Sequence, residues 1–112
     1  MSEECVFCKI VAGQIPSEKV FENENFIVIR DVSPQVEGHL LVIPKMHVGN
    51  FMELDEGMYE GFLRTVADVA RQEGLENFNL VVNEGRVAGQ IVEHLHLHIL
   101  PRVEGDGFEL GV

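Results

Sequence analysis

Three of the five histidines in this 112-residue sequence stand at alternate positions of one apolar segment, VEHLHLHILPR, over residues 92–102. In a β-strand successive side chains point to opposite faces, so His94, His96 and His98 are predicted to share one face. Burying imidazoles where aliphatic side chains would serve costs desolvation, so the pattern indicates chemistry. Two kinds suit it: zinc binding by histidines at alternate strand positions, and nucleophilic attack by one imidazole flanked by hydrogen-bond donors.

The elements that must position these histidines are strands and one long helix. Strands are predicted at 26–32 and 39–44, around the turn-forming SPQVEG, and later at 78–85 and 92–102. Helical spacing of apolar residues predicts a helix over 54–73, with Asp55 as N-cap and Gly74 as its stop. A shorter helical turn is predicted over CVFCKIVAG. We therefore predict one α+β domain over 1–112, a mostly antiparallel sheet covered on one side by the long helix.

Composition narrows the class of protein. A net charge of −11 disfavours binding to a nucleic-acid backbone, which draws its affinity from lysine and arginine. The apolar runs are far shorter than the roughly 18 residues that span a membrane, and the start, MSEEC, lacks the basic region of a signal peptide. These features predict a cytoplasmic protein. In that reducing compartment Cys5 and Cys8 are predicted to be thiols or metal ligands rather than a disulfide.

Two long stretches together resemble one family. NEGRVAGQIVEHLHLHILPR resembles the signature of the histidine triad (HIT) family, and CVFCKIVAGQIPSEKVFENENFIVIRDVSPQVEGHLLVIPKMH resembles its amino-terminal half, including the D-x-S-P turn. The similarity spans about residues 5–102. It implies a HIT-like fold with about five strands, one long helix and a short amino-terminal helix. It also implies an enzyme that binds a purine nucleotide and transfers or hydrolyses a nucleotidyl group through a nucleotidyl-histidine.

The resemblance implies a catalytic set of His94, His96 and His98 in the triad, with His39 beside them. His96 would be the nucleophile on the α-phosphorus, and His98 would hold a non-bridging oxygen. His39 matches a histidine that orients the triad or relays protons, although a hydrogen-bonded supporting histidine fits equally well. Asp31 would accept hydrogen bonds from the ribose hydroxyls, with Val32 lining the same pocket.

Two further sets of nucleotide-binding positions follow from the resemblance. The apolar slot for the base falls at Phe7, Ile10, Ile15 and Ile29, for which ordinary core packing is the alternative. The phosphate-side loop falls at Asn83, Gly89, Gln90 and Ile91. Many family members carry serine or threonine where this chain has Ile91, and an alkyl group cannot donate a proton to a leaving group. Losing such a donor can cost on the order of 10²-fold in rate.

A metal site is implied at four residues that match a zinc-binding set of some family members: Cys5, Cys8, His47 and His94. Such a site would be structural and closed, leaving His96 and His98 for chemistry. The alternative is two semi-buried thiols beside a hydrogen-bonded histidine.

The resemblance is greatest to the branch that hydrolyses adenosine 5′-monophosphoramidates. Alternatives are hydrolysis of dinucleoside polyphosphates, a non-catalytic nucleotide-binding or signalling module, which Ile91 favours, and a zinc hydrolase that uses the triad as ligands. No nucleic-acid or membrane partner is predicted. A homodimer is expected from the family, since an exposed sheet edge is a template for pairing.

Overall fold

The computed structural model describes residues 4–112 and contains one five-stranded sheet. Its strands are β1 (Lys19–Glu22), β2 (Phe26–Arg30), β3 (Leu40–Pro44), β4 (Phe78–Val81) and β5 (Leu97–Pro101), with helices α1 (Val6–Val11) and α2 (Tyr59–Gln72). All pairings are antiparallel, in the order β1-β2-β3-β5-β4. The α+β prediction is confirmed. Residues 1–3 of the predicted domain lie outside the described part of the chain.

The pairing of β2 with β3 confirms the predicted hairpin, in which Phe26 lies opposite Pro44. The start of the long helix is different from the prediction, because α2 begins at Tyr59. Asp55 instead caps a preceding 3-10 turn (Glu56–Met58) by accepting a hydrogen bond from the Gly57 N–H at 2.8 Å. Gly74 follows the helix with φ +66°, a conformation that favours glycine, so the predicted stop is confirmed. The short strand β1 was not predicted.

The two faces of the sheet bury different cores. One face packs against α2 through side chains such as Val28, Val42 and Ile99. The other face carries Ile27, Ile29, Leu41 and Ile43, on which Phe7 of α1 packs. As predicted, the leucines and isoleucine that alternate with the histidines (Leu95, Leu97 and Ile99) belong to the core on the α2 side. The histidine side chains therefore point to the α1 side of the sheet.

The histidine segment is a strand only in its second half, so the predicted strand is wrong over 92–96. β5 begins at Leu97, opposite Val42, and two residues further along β3 comes Pro44. A proline has no N–H for a ladder hydrogen bond. The Pro44 carbonyl is 2.8 Å from His94 Nε2, and the Leu95 N–H donates to the Val48 carbonyl instead. Side-chain and loop contacts thus replace the ladder over residues 94–96. Within residues 4–112, no helix is both long and apolar enough to cross a membrane.

Candidate functional site

His96 stands beside a cavity with one ring nitrogen held by the backbone. Its Nδ1 lies 2.8 Å from the His94 carbonyl oxygen. A carbonyl oxygen only accepts, so Nδ1 carries the proton, and Nε2 of the neutral ring keeps a lone pair. His96 lines the cavity. An imidazole in this tautomer can attack an electrophile bound there.

His98 ends a directed chain of hydrogen bonds that begins at a backbone amide. The Gln35 N–H donates to His39 Nδ1 at 3.1 Å, so the proton of neutral His39 is on Nε2. That N–H donates to His98 Nδ1 at 2.9 Å, which leaves the His98 proton on Nε2. Because His98 also lines the cavity, it offers a neutral donor that can stabilise negative charge on a ligand.

Burial favours the neutral form of His39 and His98, the two histidines in this series of hydrogen bonds. It lowers the pKa of His39, and Asp31, whose Oδ2 lies 3.5 Å from His39 Nε2, opposes this effect. Burial, followed by the neighbouring rings of His96 and His39, lowers the pKa of His98 to about 4. A protonated imidazole has no acceptor nitrogen, so the chain of hydrogen bonds depends on this neutrality.

The cavity has a volume of about 420 Å³ and combines a polar wall with an apolar one. Asp31 lies on the polar wall, where its Oδ1 accepts a hydrogen bond from the Ser33 N–H at 2.9 Å. The lining comprises Asp31, Ser33, Gln35, His39, Asn83, Gly89, His96 and His98 with Val81, Ile91, Leu100, Phe108 and Leu110. The structure thus brings Asp31, three of the predicted phosphate-side residues and two of the three triad histidines together on one cavity, whereas Gln90 and His94 are buried outside its lining.

The predicted base-slot residues lie outside that lining. Phe7 and Ile29 are buried in the core beneath α1, with Ile10 packed against it, and Ile15 is half-buried. Phe7 is nonetheless in edge contact with the His96 ring, at 5.0 Å between centroids. Val32 is 91% exposed beside Asp31.

The loop before the triad is closed by the buried side chain of Gln90. Its Nε2 donates to the carbonyls of Gly49, at 2.6 Å, and Val92, at 3.0 Å, while its Oε1 accepts from the Gly85 N–H at 2.9 Å. Gly89 has φ +99°, which would strain any other residue. Ile91 follows on the cavity rim, 92% exposed.

Four ligand atoms of Cys5, Cys8, His47 and His94 lie within 4.8 Å of one another. No disulfide joins the two cysteines, and sulfur-to-nitrogen distances are 3.2 Å for Cys5 to His94 and 3.2 Å for Cys8 to His47. Tetrahedral zinc, with bonds of about 2.0–2.3 Å, separates its ligand atoms by similar distances. His94 Nε2 donates to the Pro44 carbonyl, so Nδ1 presents its lone pair to the sulfurs. The donor set and its orientation fit a metal ion.

A second group with similar spacing, Asp31, His39 and His98, does not fit a metal in the same way. The Gln35 N–H occupies His39 Nδ1, so the Nε2 that would face a metal already carries the ring proton. Hydrogen bonding therefore accounts for this group. The triad itself does not converge on one ion, since His94 Nδ1 turns to the thiols and His96 Nδ1 to a carbonyl.

The carboxyl-terminal tail supplies cavity residues that the sequence did not indicate. Arg102 holds it by donating from Nε and Nη2 to both carboxylate oxygens of Asp106, at 2.7 and 2.9 Å, and to the Phe108 carbonyl at 2.5 Å. Its Nη1 donates to Asn79 Oδ1 of β4 at 2.8 Å. Phe108 and Leu110 thereby reach the cavity. The sequence could have indicated Leu100 as a cavity residue, because it is two residues beyond His98 on the same face of the strand. Nothing in the tail sequence indicates that the tail is ordered.

Comparison with known proteins gives one family throughout. The model of the HIT domain matches residues 12–105. An uncharacterized HIT-like protein of Methanocaldococcus jannaschii is 43% identical over 106 residues, which are 92% of this chain and 82% of that protein. An adenosine 5′-monophosphoramidase of Schizosaccharomyces pombe is 41% identical over 108 residues, covering 96% of this chain and 80% of the relative. Among solved structures, a zinc-bound histidine triad family protein from Mycobacterium smegmatis superposes with a TM-score of 0.85 at 37% identity, over 96% of this chain and 81% of that one.

Proposed function

Since the chain belongs to the HIT domain family, we propose that it is a nucleotidyl hydrolase acting through a nucleotidyl-histidine on His96, most like the adenosine 5′-monophosphoramidases. The observation that carries the proposal is the tautomer of His96, whose Nδ1–H is held by the His94 carbonyl. The relative of that name in Schizosaccharomyces pombe supports the choice of substrate. AMP or an AMP conjugate is the proposed ligand.

In the first step, His96 Nε2 attacks the α-phosphorus and the bond to the amine breaks. The His96 ring becomes a cation, which is stabilised by the hydrogen bond from its Nδ1–H to the His94 carbonyl oxygen. His98 Nε2–H donates to a non-bridging oxygen, where negative charge develops. The amine takes its proton from water, because Ile91 has none to give. Water then attacks phosphorus, the bond to His96 breaks, AMP leaves and a proton passes to solvent.

The remaining ligand contacts follow the family resemblance. Asp31 would accept hydrogen bonds from the ribose hydroxyls, and its place on the cavity wall with the histidines supports this. The base would lie in an apolar slot beside Val32, with Phe7, Ile10, Ile15 and Ile29. The phosphate side would be formed by Asn83, Gly89, Gln90 and Ile91, the first two of which line the cavity with Ile91.

We further propose zinc at Cys5, Cys8, His47 and His94, which the Cys₂His₂ donor set supports. Bound zinc would supply a structural cross-link between α1, the loop after β3 and the segment before β5. Two cysteines that are close together without a disulfide suit a reducing compartment, and we propose a cytoplasmic location. A homodimer is proposed through β4, an edge strand of the sheet, and light scattering tests it.

One observation favours a second function, a nucleotide-binding module without turnover. Ile91 stands exposed on the cavity rim where a hydroxyl residue is common in the family. Without a donor, the leaving group would depart slowly or not at all.

Mass spectrometry of the intact protein, quenched at short times with an adenosine phosphoramidate, tests the proposal. We expect one adenylyl group on the wild-type chain and on Leu63→Ala, an exposed control position on α2, and none on His96→Ala. A parallel series with a diadenosine polyphosphate tests the alternative substrate. AMP binding with neither adduct nor product would replace the hydrolase by the binding module.

A further inference from the structure

The nucleophile lies in a segment that the sheet does not hold. Residues 94–96 precede Leu97, the first residue of β5 that pairs with β3. Apart from the Leu95 N–H bond to Val48, this segment is positioned by its own side chains. The orientation of His96 therefore depends on what fixes His94 and the ring that packs beside His96.

The Cys/His group makes both of those contacts. His94 directs its ring nitrogen to the thiols while its own carbonyl oxygen, on the same residue, accepts the His96 Nδ1–H at 2.8 Å. Phe7 stands between Cys5 and Cys8 in α1, and its ring is edge-on to His94 at 5.8 Å and to His96 at 5.0 Å. The Cys/His group is thus connected to His96 by two routes, the His94 carbonyl and the Phe7 ring.

We propose that the group of Cys5, Cys8, His47 and His94 is a positioning site for the nucleophile His96, which a bound metal ion locks in its attacking tautomer. This inference rests on the proposed function of His96. Sulfur hydrogen bonds join the thiols to the imidazoles, and the one between Cys8 and His94 is as long as 3.6 Å. Coordination would fix the His94 ring at both nitrogens, because Nε2 is already bound to the Pro44 carbonyl. The His94 peptide and its carbonyl are then fixed as well.

His47 is the ligand to change, because it contacts the group without touching His96 or lining the cavity. Its Nδ1 is 3.2 Å from Cys8 Sγ and its ring packs on His94 at 4.8 Å. His47→Ala removes a ligand, and His47→Cys replaces it with another. Val69→Ala, in the core on the other face of the sheet, is the control for general destabilisation.

Three readouts are compared with Zn²⁺ added and after chelation: ring ¹⁵N signals of His96, adenylyl-adduct rate and AMP affinity. Co²⁺ absorption reports tetrahedral thiolate binding. We expect zinc to raise the population of the Nδ1–H tautomer and to speed adduct formation by about 10- to 100-fold, with AMP affinity little changed. His47→Ala should lose the zinc response, His47→Cys should restore it, and Val69→Ala should keep it.

Identical His96 ring signals and adduct rates in the loaded and stripped wild-type chain would overturn the inference. Absence of an adduct in every form would instead remove the proposed function, while the ring signals would still decide the positioning role. If the stripped chain unfolds, Cd²⁺ replaces Zn²⁺ in the folded protein. Its longer bonds must shift the His96 signals relative to zinc, and unchanged signals would again overturn the inference.

Discussion

Protonation of His98 should destabilise the folded chain as the pH falls. The ring accepts the His39 Nε2–H at Nδ1, so it cannot take up a proton without breaking that bond. Burial and the neighbouring imidazoles hold its pKa at about 4, against 6.5 when unperturbed. Because the folded pKa is the lower one, the unfolded chain binds the proton first. His98 therefore contributes no penalty above about pH 6.5, and stability is lost progressively as the pH falls towards about 4.

The size of this effect follows from the two pKa values. With 6.5 in the unfolded chain and about 4 in the folded one, acidification from about pH 7 to about pH 5 lowers the free energy of unfolding by about 2 kcal/mol. The His98 ring is only half-buried, and solvent screening reduces the expected loss to about 1 kcal/mol.

Urea unfolding followed by circular dichroism across this pH range measures the effect in wild type and His98→Asn. Asparagine keeps an acceptor for the His39 N–H but does not titrate. Neither protein receives added metal, so both curves are recorded under the same conditions. We expect the wild type to lose about 1 kcal/mol more than the variant between about pH 7 and pH 5. Parallel curves would show that His98 is not kept neutral by its surroundings and would refute the reasoning.

Three further changes test the cavity. Asp31→Asn should weaken AMP binding by about 10-fold and abolish its preference over the dideoxyribose analogue, because a charged acceptor is lost; calorimetry with both ligands measures this, and a retained preference contradicts the ribose role. Ile91→Ser should raise phosphoramidate turnover, by up to about 10²-fold, if a missing donor limits the leaving group; steady-state kcat measures this, and no gain places the limit elsewhere. Arg102→Ala should release the tail, because Asp106 loses the guanidinium that holds it, exposing residues 103–112 to limited proteolysis and raising KM for bulky leaving groups while small ones are little affected.

The sequence predicted the two faces of the histidine segment better than the backbone conformation of that segment. Alternation of histidine with leucine over 94–99 correctly separates two faces, because extended backbone alternates whether or not a ladder is formed. The strand boundary was missed because Pro44, fifty residues away, determines where pairing ends. Asp55 was assigned to the wrong helix because an aspartate caps a 3-10 turn and an α-helix by the same side-chain bond.

Long-range contacts limited what could be predicted of the site. Cys5, Cys8, His47 and His94 could be grouped only through the family resemblance, since spacing within the sequence does not show that three segments meet. The Gln35 amide that sets the His39 tautomer is a backbone group and carries no sequence signal at all. The tail was hidden for a different reason, because Arg102 holds it mainly by short-range contacts to a carboxylate and a carbonyl, which residue spacing alone does not indicate.

The strict alternation from Leu95 to Ile99 also restricts how this gene can change. Substitutions at one position affect one face, but deletion or insertion of a single codon in residues 92–96 shifts every following side chain to the opposite face. His94 and His96 would then be moved into the core under α2, while the displaced leucines would lie on the cavity side, with no polar partner gained on either face. Among descendants of this sequence, length variation should therefore collect in the exposed turns, such as the one around Gly105, and be absent from the five codons that precede β5.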